Sequence, residues 1–434
     1  MNREAYQFLL DWKKQPQRKA LIIQGARQVG KTWLMKAFGE KEFNHTAYFN
    51  FERTKELHSI FKQGYDTNHI LASLNILAGF DIQPDQTLII FDEIQACPDA
   101  ITSLKYFQED NPGYAIFAAG SLLWVAIHQG VSFPVGKVDF LSLHPLNFSE
   151  FLDAMGKQNF IQAIEKADFR LIENFSDQLI ELLKQYYFVG GMPEVVKEFV
   201  KSRNYTQARA IQENILNAYE NDFSKHAPIA QLPRIRMIWQ SIVGQLAKEN
   251  SKFIYNILRT GARAKDFEMA IDWLKDAGLI HKVTRVSKPG FPISAYADWS
   301  DFKIYLNDVG LMCAMGGIGP EIILHGNDLF VEFKGTISEQ FILQQLVSYA
   351  YQPFYWAPEN AKSEIDFLIQ KENQIIPIEV KSAENVKSRS LRIYFDKFHP
   401  QLSIRTSISG FKKQEWMENI PMYCFHRWVK QKMD

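Results

Sequence analysis

The sequence predicts an α/β protein: a parallel sheet with helices on both faces, followed by a helical region and further mixed segments. Three observations carry that expectation. A short apolar strand, LII at 21–23, runs into GARQVGKT at 25–32 and then into the helix-forming WLMKAF. A second apolar run, TLIIFDEIQ at 87–95, ends in two acids, Asp92 and Glu93. Around them strand-like and helix-like stretches alternate, the order that winds a parallel sheet.

The first stretch fits G-x-x-x-x-G-K-[ST] with a strand before it and a helix after it, the context of a phosphate-binding loop (P-loop). Gly25 and Gly30 let the backbone turn tightly and approach a phosphate with no Cβ in the way. The backbone from Gly25 through Ala26, Arg27, Gln28, Val29, Gly30, Lys31 and Thr32 to Trp33 then forms an anion cradle at a helix N-terminus. Lys31 reaches the β- and γ-phosphates and Thr32 places its hydroxyl on Mg²⁺, so ATP and Mg²⁺ are the expected cofactors. Asp92 holds the metal, directly or through water, and Glu93 serves as general base. The next strand, YAIFAAGS at 114–121, ends at Ser121, which is either a sensor of the γ-phosphate or a plain turn residue. Gly25, Asp92 and Ser121 all fall at carboxyl ends of strands, where such sheets bind nucleotide.

Bulk composition narrows the partners. A chain of 434 residues suggests two to four domains. Hydrophobic content of 46% and charged content of 23% are those of a globular protein. Lys+Arg and Asp+Glu each number 49, so the net charge is zero and no global pull toward nucleic acid or membrane exists. Cys97, Cys313 and Cys424 lie too far apart for a metal pattern or a disulfide framework, which fits a reducing cytosol. The amphipathic start, MNREAYQFLLDWKKQ, is unlike a signal peptide. The apolar run AIFAAGSLLWVAI at 115–127 is shorter than the roughly 20 residues that span a bilayer, and a buried strand and turn are expected there. A cytoplasmic protein with no membrane partner is therefore expected.

In chain order, 1–19 reads as a helix, 45–53 as an alternating strand, 54–79 as helical, and 136–151 as a strand with a turn through Pro145. The stretch 152–230 is mostly helical, with Gly190-Gly191 and Pro193 as an interhelical loop. Residues 232–287 give three helices and then strand sequence, the winged-helix form of the helix-turn-helix. Arg259, Arg263, Lys265 and Lys275 lie near its recognition helix, but Asp266, Glu268, Asp272 and Asp276 dilute their charge. A protein partner is served at least as well as DNA.

EIDFLIQKENQIIPIEVKSA at 364–383 alternates cleanly. A turn centred between Glu372 and Asn373 sets Asp366 opposite Glu379 and Lys381 opposite Glu364. Facing carboxylates repel, so two acids with a lysine two residues on suit a divalent metal. Glu339, on the helix TISEQFILQQLV, adds a third carboxylate. The alternative is a solvated face relieved by a Lys381–Glu364 pair. Pro377 cannot donate to a ladder, so that strand is expected to be bulged or open there.

This D…(D/E)-x-K arrangement of Glu339, Asp366, Glu379 and Lys381 resembles the PD-(D/E)XK nuclease core. The whole chain resembles prokaryotic AAA+-type ATPases in which an ATPase core is joined to a C-terminal domain of unknown function. GARQVGKT, LIIFDEIQ, AGSLL at 119–123, PLNFSEFL at 145–152, GGMPEVV at 190–196 and the GTISEQF…EIDFLI…PIEVKS series carry the match. The resemblance implies an AAA+-like ATPase core over 1–155, a helical lid or linker over 156–230, a winged helix over 231–310 and a nuclease-like α/β domain over 311–434. In roles, it implies Lys31 and Thr32 on phosphate and Mg²⁺, Asp92 and Glu93 on metal and water, and Ser121 as sensor. It further implies a homo-oligomer in which a neighbour's arginine completes the site. One departure stands out: Gly136-Lys137 occupies the place of the family's Gly-Arg, and a lysine meets phosphate as a point charge where arginine forks. Three functions follow. The first is Mg²⁺-dependent ATP hydrolysis coupled to the C-terminal domains. The second is a nucleotide-switched DNA- or protein-binding module with little turnover. The third is an ATP-gated, metal-dependent nuclease.

Overall fold

The computed structural model describes residues 2–120, 133–248, 252–325, 331–358, 363–382 and 388–431. They form two compact units, one of Asn2–His144 with Asp276–Gly278, the other of Pro145–Lys275 with Leu279–Asp434.

The first unit is built on five strands: β1 (Ala20–Gln24), β2 (His45–Asn50), β3 (Thr87–Asp92), β4 (Ala115–Ala119) and β5 (Val138–Ser142). All pair in parallel, in the order β2-β3-β4-β1-β5. The sequence dictates the order of burial. The interior strands β1, β3 and β4 are near-continuous apolar runs, as strands covered on both faces must be. The edge strand β2 alternates. On one face Phe91 meets Phe51 and Phe61 edge-on at 5.6 and 5.7 Å. On the other, Phe117 takes Trp12 at 4.9 Å and Phe38 at 5.5 Å. In register, Asn50, Asp92 and Ala119 lie side by side, and Ala119 faces Ile23. That alignment puts the loop after β1, the acids after β3 and Gly120 along one edge. The stretch 54–79 is two helices rather than one, Lys55–Lys62 and Thr67–Ala78. Gly64 breaks it at φ 131°, and the Asp66 carboxylate caps the second helix at the N–H groups of Asn68 and His69. In the 115–127 run, 115–119 form the buried strand, while 121–127 lie outside the described residues.

The second unit combines helices with an eight-stranded sheet. Its strands are β6 (Ile280–Val286), β7 (Ala297–Leu306), β8 (Phe354–Trp356), β9 (Ile365–Lys371), β10 (Gln374–Val380), β11 (Ile404–Ser407), β12 (Lys412–Lys413) and β13 (Glu418–Pro421). Their order is β12-β13-β11-β10-β9-β8-β6-β7. Helices Leu232–Leu246, Tyr255–Leu258 and Ala264–Asp276 precede the β6–β7 hairpin, and that hairpin continues the same sheet as β9 and β10. The β9–β10 hairpin turns between Lys371 and Gln374 in the expected register. No bulge forms at Pro377, which sits opposite Leu368 in an unshifted ladder. The strand is open there instead, the other expected outcome: pairing with β11 begins only at Ile378, so no partner on that side needs the missing N–H.

Gly190-Gly191 is more than a loop between helices. A Cβ on Gly190 would overlap the Asp308 carboxylate, and one on Gly191 the Leu146 carbonyl. The Gly191 N–H donates to Asp308 Oδ2 at 2.6 Å, and Gln344 Nε2 donates to the same oxygen at 3.2 Å. The Leu311 N–H donates to Asp308 Oδ1 at 2.9 Å. Two distant segments and the first turn of the helix that Asp308 caps thus close on one buried carboxylate, which only glycine lets the 190–191 chain approach.

Candidate functional site

Strand β1 ends at Gln24, and the chain then bends through Gly25 at φ 144°, Gln28 at φ 67° and Gly30 at φ 96° before helix Lys31–Glu42 begins. A Cβ on Gly25 would overlap the Leu143 carbonyl oxygen, so that position requires glycine. No side chain caps the helix, which leaves its first N–H groups for an anion. Ala26 and Val29 are buried beneath the bend, whereas Arg27, Gln28 and Trp33 are exposed.

Lys31 is only 7% exposed. Its ammonium donates to the carbonyls of Gly25 and Ala26, both at 2.8 Å. Burial pushes the amine down to about 8; Glu93 and Asp92 pull it back up and Arg27 adds repulsion. Two of the acceptors that hold the cation are thus neutral backbone carbonyls, with the carboxylates of Glu93 and Asp92 acting on it electrostatically. Beside it, Asp92 Oδ2 accepts from Thr32 Oγ1 at 2.9 Å and from the Tyr48 hydroxyl at 2.7 Å. The phenol is pushed up to about 12, by burial first and then by that bond, so it stays a donor at neutral pH. Glu93 adopts φ 54°, a left-handed conformation that costs about 1–3 kcal/mol in a non-glycine residue. Its Oε2 accepts from Gln95 Nε2 at 2.7 Å. Gln95 fits only because Gly120 lacks a Cβ, which would overlap the amide oxygen. An ammonium, a hydroxyl, two carboxylates and a row of open N–H groups share one edge, the donor set for a polyphosphate carrying a hard cation.

Comparison with known families places this edge. The AAA domain family matches residues 17–152. Two further families, each described as a domain of unknown function, match 180–322 (DUF8612) and 334–425 (DUF4143). The parallel sheet with its flanking helices and the loop after β1 make residues 17–152 a P-loop NTPase fold that matches the AAA domain family. No curated protein sequence matches the chain. Among solved structures, the Walker-type ATPase of Pyrococcus abyssi is 13% identical with a TM-score of 0.45, over 73% of this chain and 95% of that one. The Orc1 protein of Aeropyrum pernix in complex with DNA is 12% identical with a TM-score of 0.24, over 73% and 91%. Cdc6p from Pyrobaculum aerophilum is 12% identical with a TM-score of 0.25, over 71% and 90%.

Within the ATPase domain, Lys31, Thr32, Asp92 and Glu93 come together, and Ser121 lies outside the described residues. Lys137 is tied to Glu109 at 2.9 Å. Sequence reasoning missed Tyr48, Gln95 and Arg3. The Arg3 guanidinium donates to the Val29 carbonyl at 3.0 Å and the His144 carbonyl at 2.6 Å, bracing the bend from below. Tyr48 had a signal: an alternating edge strand sets it in register two residues before Asn50, itself opposite Asp92.

In the other unit, Asp366 Oδ2 accepts from the Val380 N–H at 2.7 Å, and Glu379 Oε1 pairs with Lys381 at 2.9 Å. The alternative Lys381–Glu364 pair does not form. Glu364 pairs instead with Lys303, whose ammonium also lies 3.8 Å from Glu339. Burial would lower Lys303, but the charges of Glu364, Glu339 and Asp366 outweigh it and hold the ammonium above its ordinary value. Burial, with Glu339 beside it, pushes the Asp366 carboxyl well up. Among the described residues, no group of three or more His, Cys, Asp or Glu side chains is arranged to hold a metal, and no helix is long and apolar enough to cross a membrane.

Proposed function

We propose that this chain hydrolyses ATP with Mg²⁺ and passes its nucleotide state to the C-terminal region. The convergence of Lys31, Thr32 and Asp92 at one loop supports this. The Lys31 ammonium exchanges two neutral carbonyls for charged phosphate oxygens, which are the stronger acceptors. Thr32 and Asp92 hold the cation, and Glu93 takes the proton of the attacking water. Mg²⁺ held there would supply positive charge against the negative charge that develops on the transferred phosphoryl group. The test is phosphate release by the full chain with Mg²⁺ and ATP. Lys31→Ala should lower the rate by about 10²–10³-fold, the loss typical of one electrostatic donor. An unchanged rate removes Lys31 from the assignment.

The same proposal reads 231–310 as a winged helix and 311–434 as a PD-(D/E)XK-like fold. Helix Ala264–Asp276 exposes Lys265, Glu268, Asp272 and Lys275 together with Met269, which is 65% exposed. Mixed charge around an apolar residue suits a protein partner better than a phosphate backbone. Completion of the ATPase site by an arginine of a second copy belongs to this proposal; mass measurement with and without ATP tests it.

One observation favours the switch reading: Gln95 already occupies an oxygen of Glu93, the group that must accept the proton. Under it, nucleotide binds with negligible phosphate release, and Gln95→Ala raises the rate. A rate that Gln95→Ala lowers or leaves unchanged discards it.

A further inference from the structure

We propose that the C-terminal carboxylate cluster takes no divalent metal because Lys303 is its cation. The proposal rests on the nuclease-like reading only for the expectation it overturns, and not on the ATPase reading. Lys303 stands on β7 within DFKIYLND, among residues buried on both faces, and is 1% exposed itself. Its ammonium is ion-paired with Glu364, lies 3.8 Å from Glu339 Oε2 and sits 5.1 Å from the centre of the Tyr355 ring. The Tyr305 hydroxyl donates to the same Glu339 oxygen at 2.9 Å. Asp366 spends Oδ2 on the Val380 N–H, and Glu379 spends Oε1 on Lys381. Glu379 Oε2 is buried without a hydrogen bond among the described residues. A hard cation needs several oxygens converging at close to 2 Å. Here one oxygen of each carboxylate already faces a partner: an ammonium at Glu364, a phenol at Glu339, a second ammonium at Glu379 and a backbone N–H at Asp366.

The geometry follows from the sheet. The helix that carries Glu339, the residue just before β9 (Glu364) and β9 itself, which carries Asp366, bring three carboxylates toward the place where β7 presents residue 303. A fixed ammonium there supplies positive charge that no chelator removes. The cluster becomes an internal clamp between β7, β9 and the helix Val331–Ser348, and the fold keeps its shape with no phosphodiester-cleaving centre.

Mn²⁺ binding decides it, measured by electron paramagnetic resonance on the full chain without nucleotide. The wild-type chain should bind no Mn²⁺ that is lost in Asp366→Asn. Its Tm should move by less than about 1 °C between EDTA and 1 mM Mn²⁺. Lys303→Met keeps the length of the side chain and removes the charge. Its Tm should fall by about 10 °C, as expected when one partner of a buried ion pair is removed. It should also gain one Mn²⁺ site, which Lys303→Met/Asp366→Asn loses again, and Mn²⁺ should raise its Tm. Should Lys303→Met not fold, the wild-type measurement alone still decides. A wild-type Mn²⁺ site abolished by Asp366→Asn, or a folded Lys303→Met that gains none, overturns the proposal.

Discussion

Two buried lysines, one in each unit, show how the same side chain serves opposite ends. Lys31 is bonded to two backbone carbonyls and pushed down to about 8. Lys303 is buried too, yet it is directly ion-paired with a carboxylate and it is pushed up. The carbonyls share no charge with Lys31, so an incoming anion displaces them at little cost. Glu364 and Glu339 already neutralise Lys303, and a second anion would find nothing to pair with. A buried charge with weak partners reads as a waiting site; one with strong partners reads as a structural clamp. Net charge, motif and burial do not separate the two. The identity of the acceptor does.

Neutralising one carboxylate beside each lysine tests that contrast most strongly. Glu93→Gln should lower phosphate release by about 10²–10⁴-fold, with nucleotide affinity within a few-fold and stability within about 0.5 kcal/mol. Glu364→Gln should do the reverse. It leaves a buried ammonium short of its anion, at a cost of about 3–5 kcal/mol in chemical unfolding, with ATP affinity unchanged. A Glu364→Gln chain as stable as wild type would show that Lys303 is no clamp.

The pH dependence separates the lysines next. Below pH 8, Lys31 is charged in both the folded and the unfolded chain, and its burial costs about 3 kcal/mol throughout. Between 8 and the ordinary 10.5 the unfolded chain carries the extra proton, so this residue makes the folded state more stable as pH rises. Triphosphate binding needs the ammonium and runs the other way. Affinity should be level up to pH 8 and then fall by up to about tenfold per pH unit, which calorimetry with ATP and a Lys31→Met control would read. A level profile to pH 9.5 breaks the contrast. Lys303, held above 10.5, keeps its full contribution below that pH and loses it only as pH climbs through the folded value.

The ATPase edge was legible because the chemistry is local. The loop lies within eight consecutive residues, and the acids close an apolar strand whose register is set by burial. Even the β9–β10 register followed from alternation and a turn. Lys303 was not legible in that way. Its partners Glu339 and Glu364 lie on a distant helix and beside a distant strand, and no spacing links them. The signal available was weaker: a lone lysine in FKIYL, where both faces of the strand are apolar or aromatic, must find a buried anion somewhere. Gln95 was hidden for a similar reason, since its place depends on a missing Cβ at Gly120 across the sheet edge.

The smallest expected effect compares two tyrosines. Tyr48 donates to Asp92 at 2.7 Å and Tyr305 to Glu339 at 2.9 Å, so each unit has a phenol on a carboxylate beside its lysine. Asp92 Oδ2 already takes the Thr32 hydroxyl, and the phenol occupies a further lone pair of the oxygen that faces the cation's place. Tyr48→Phe frees that lone pair. A hydrogen bond of this kind contributes about 1 kcal/mol net, so the Mg²⁺ concentration that half-activates phosphate release should fall about fivefold. Tyr305→Phe should leave that Mg²⁺ requirement where it was and lower the stability of the chain by a similar 1 kcal/mol or so, because Lys303 leaves no place for a metal beside Glu339. If Tyr48→Phe raises the Mg²⁺ requirement or leaves it unchanged, the phenol does not compete with the metal, and Asp92 Oδ2 is not the oxygen that holds it.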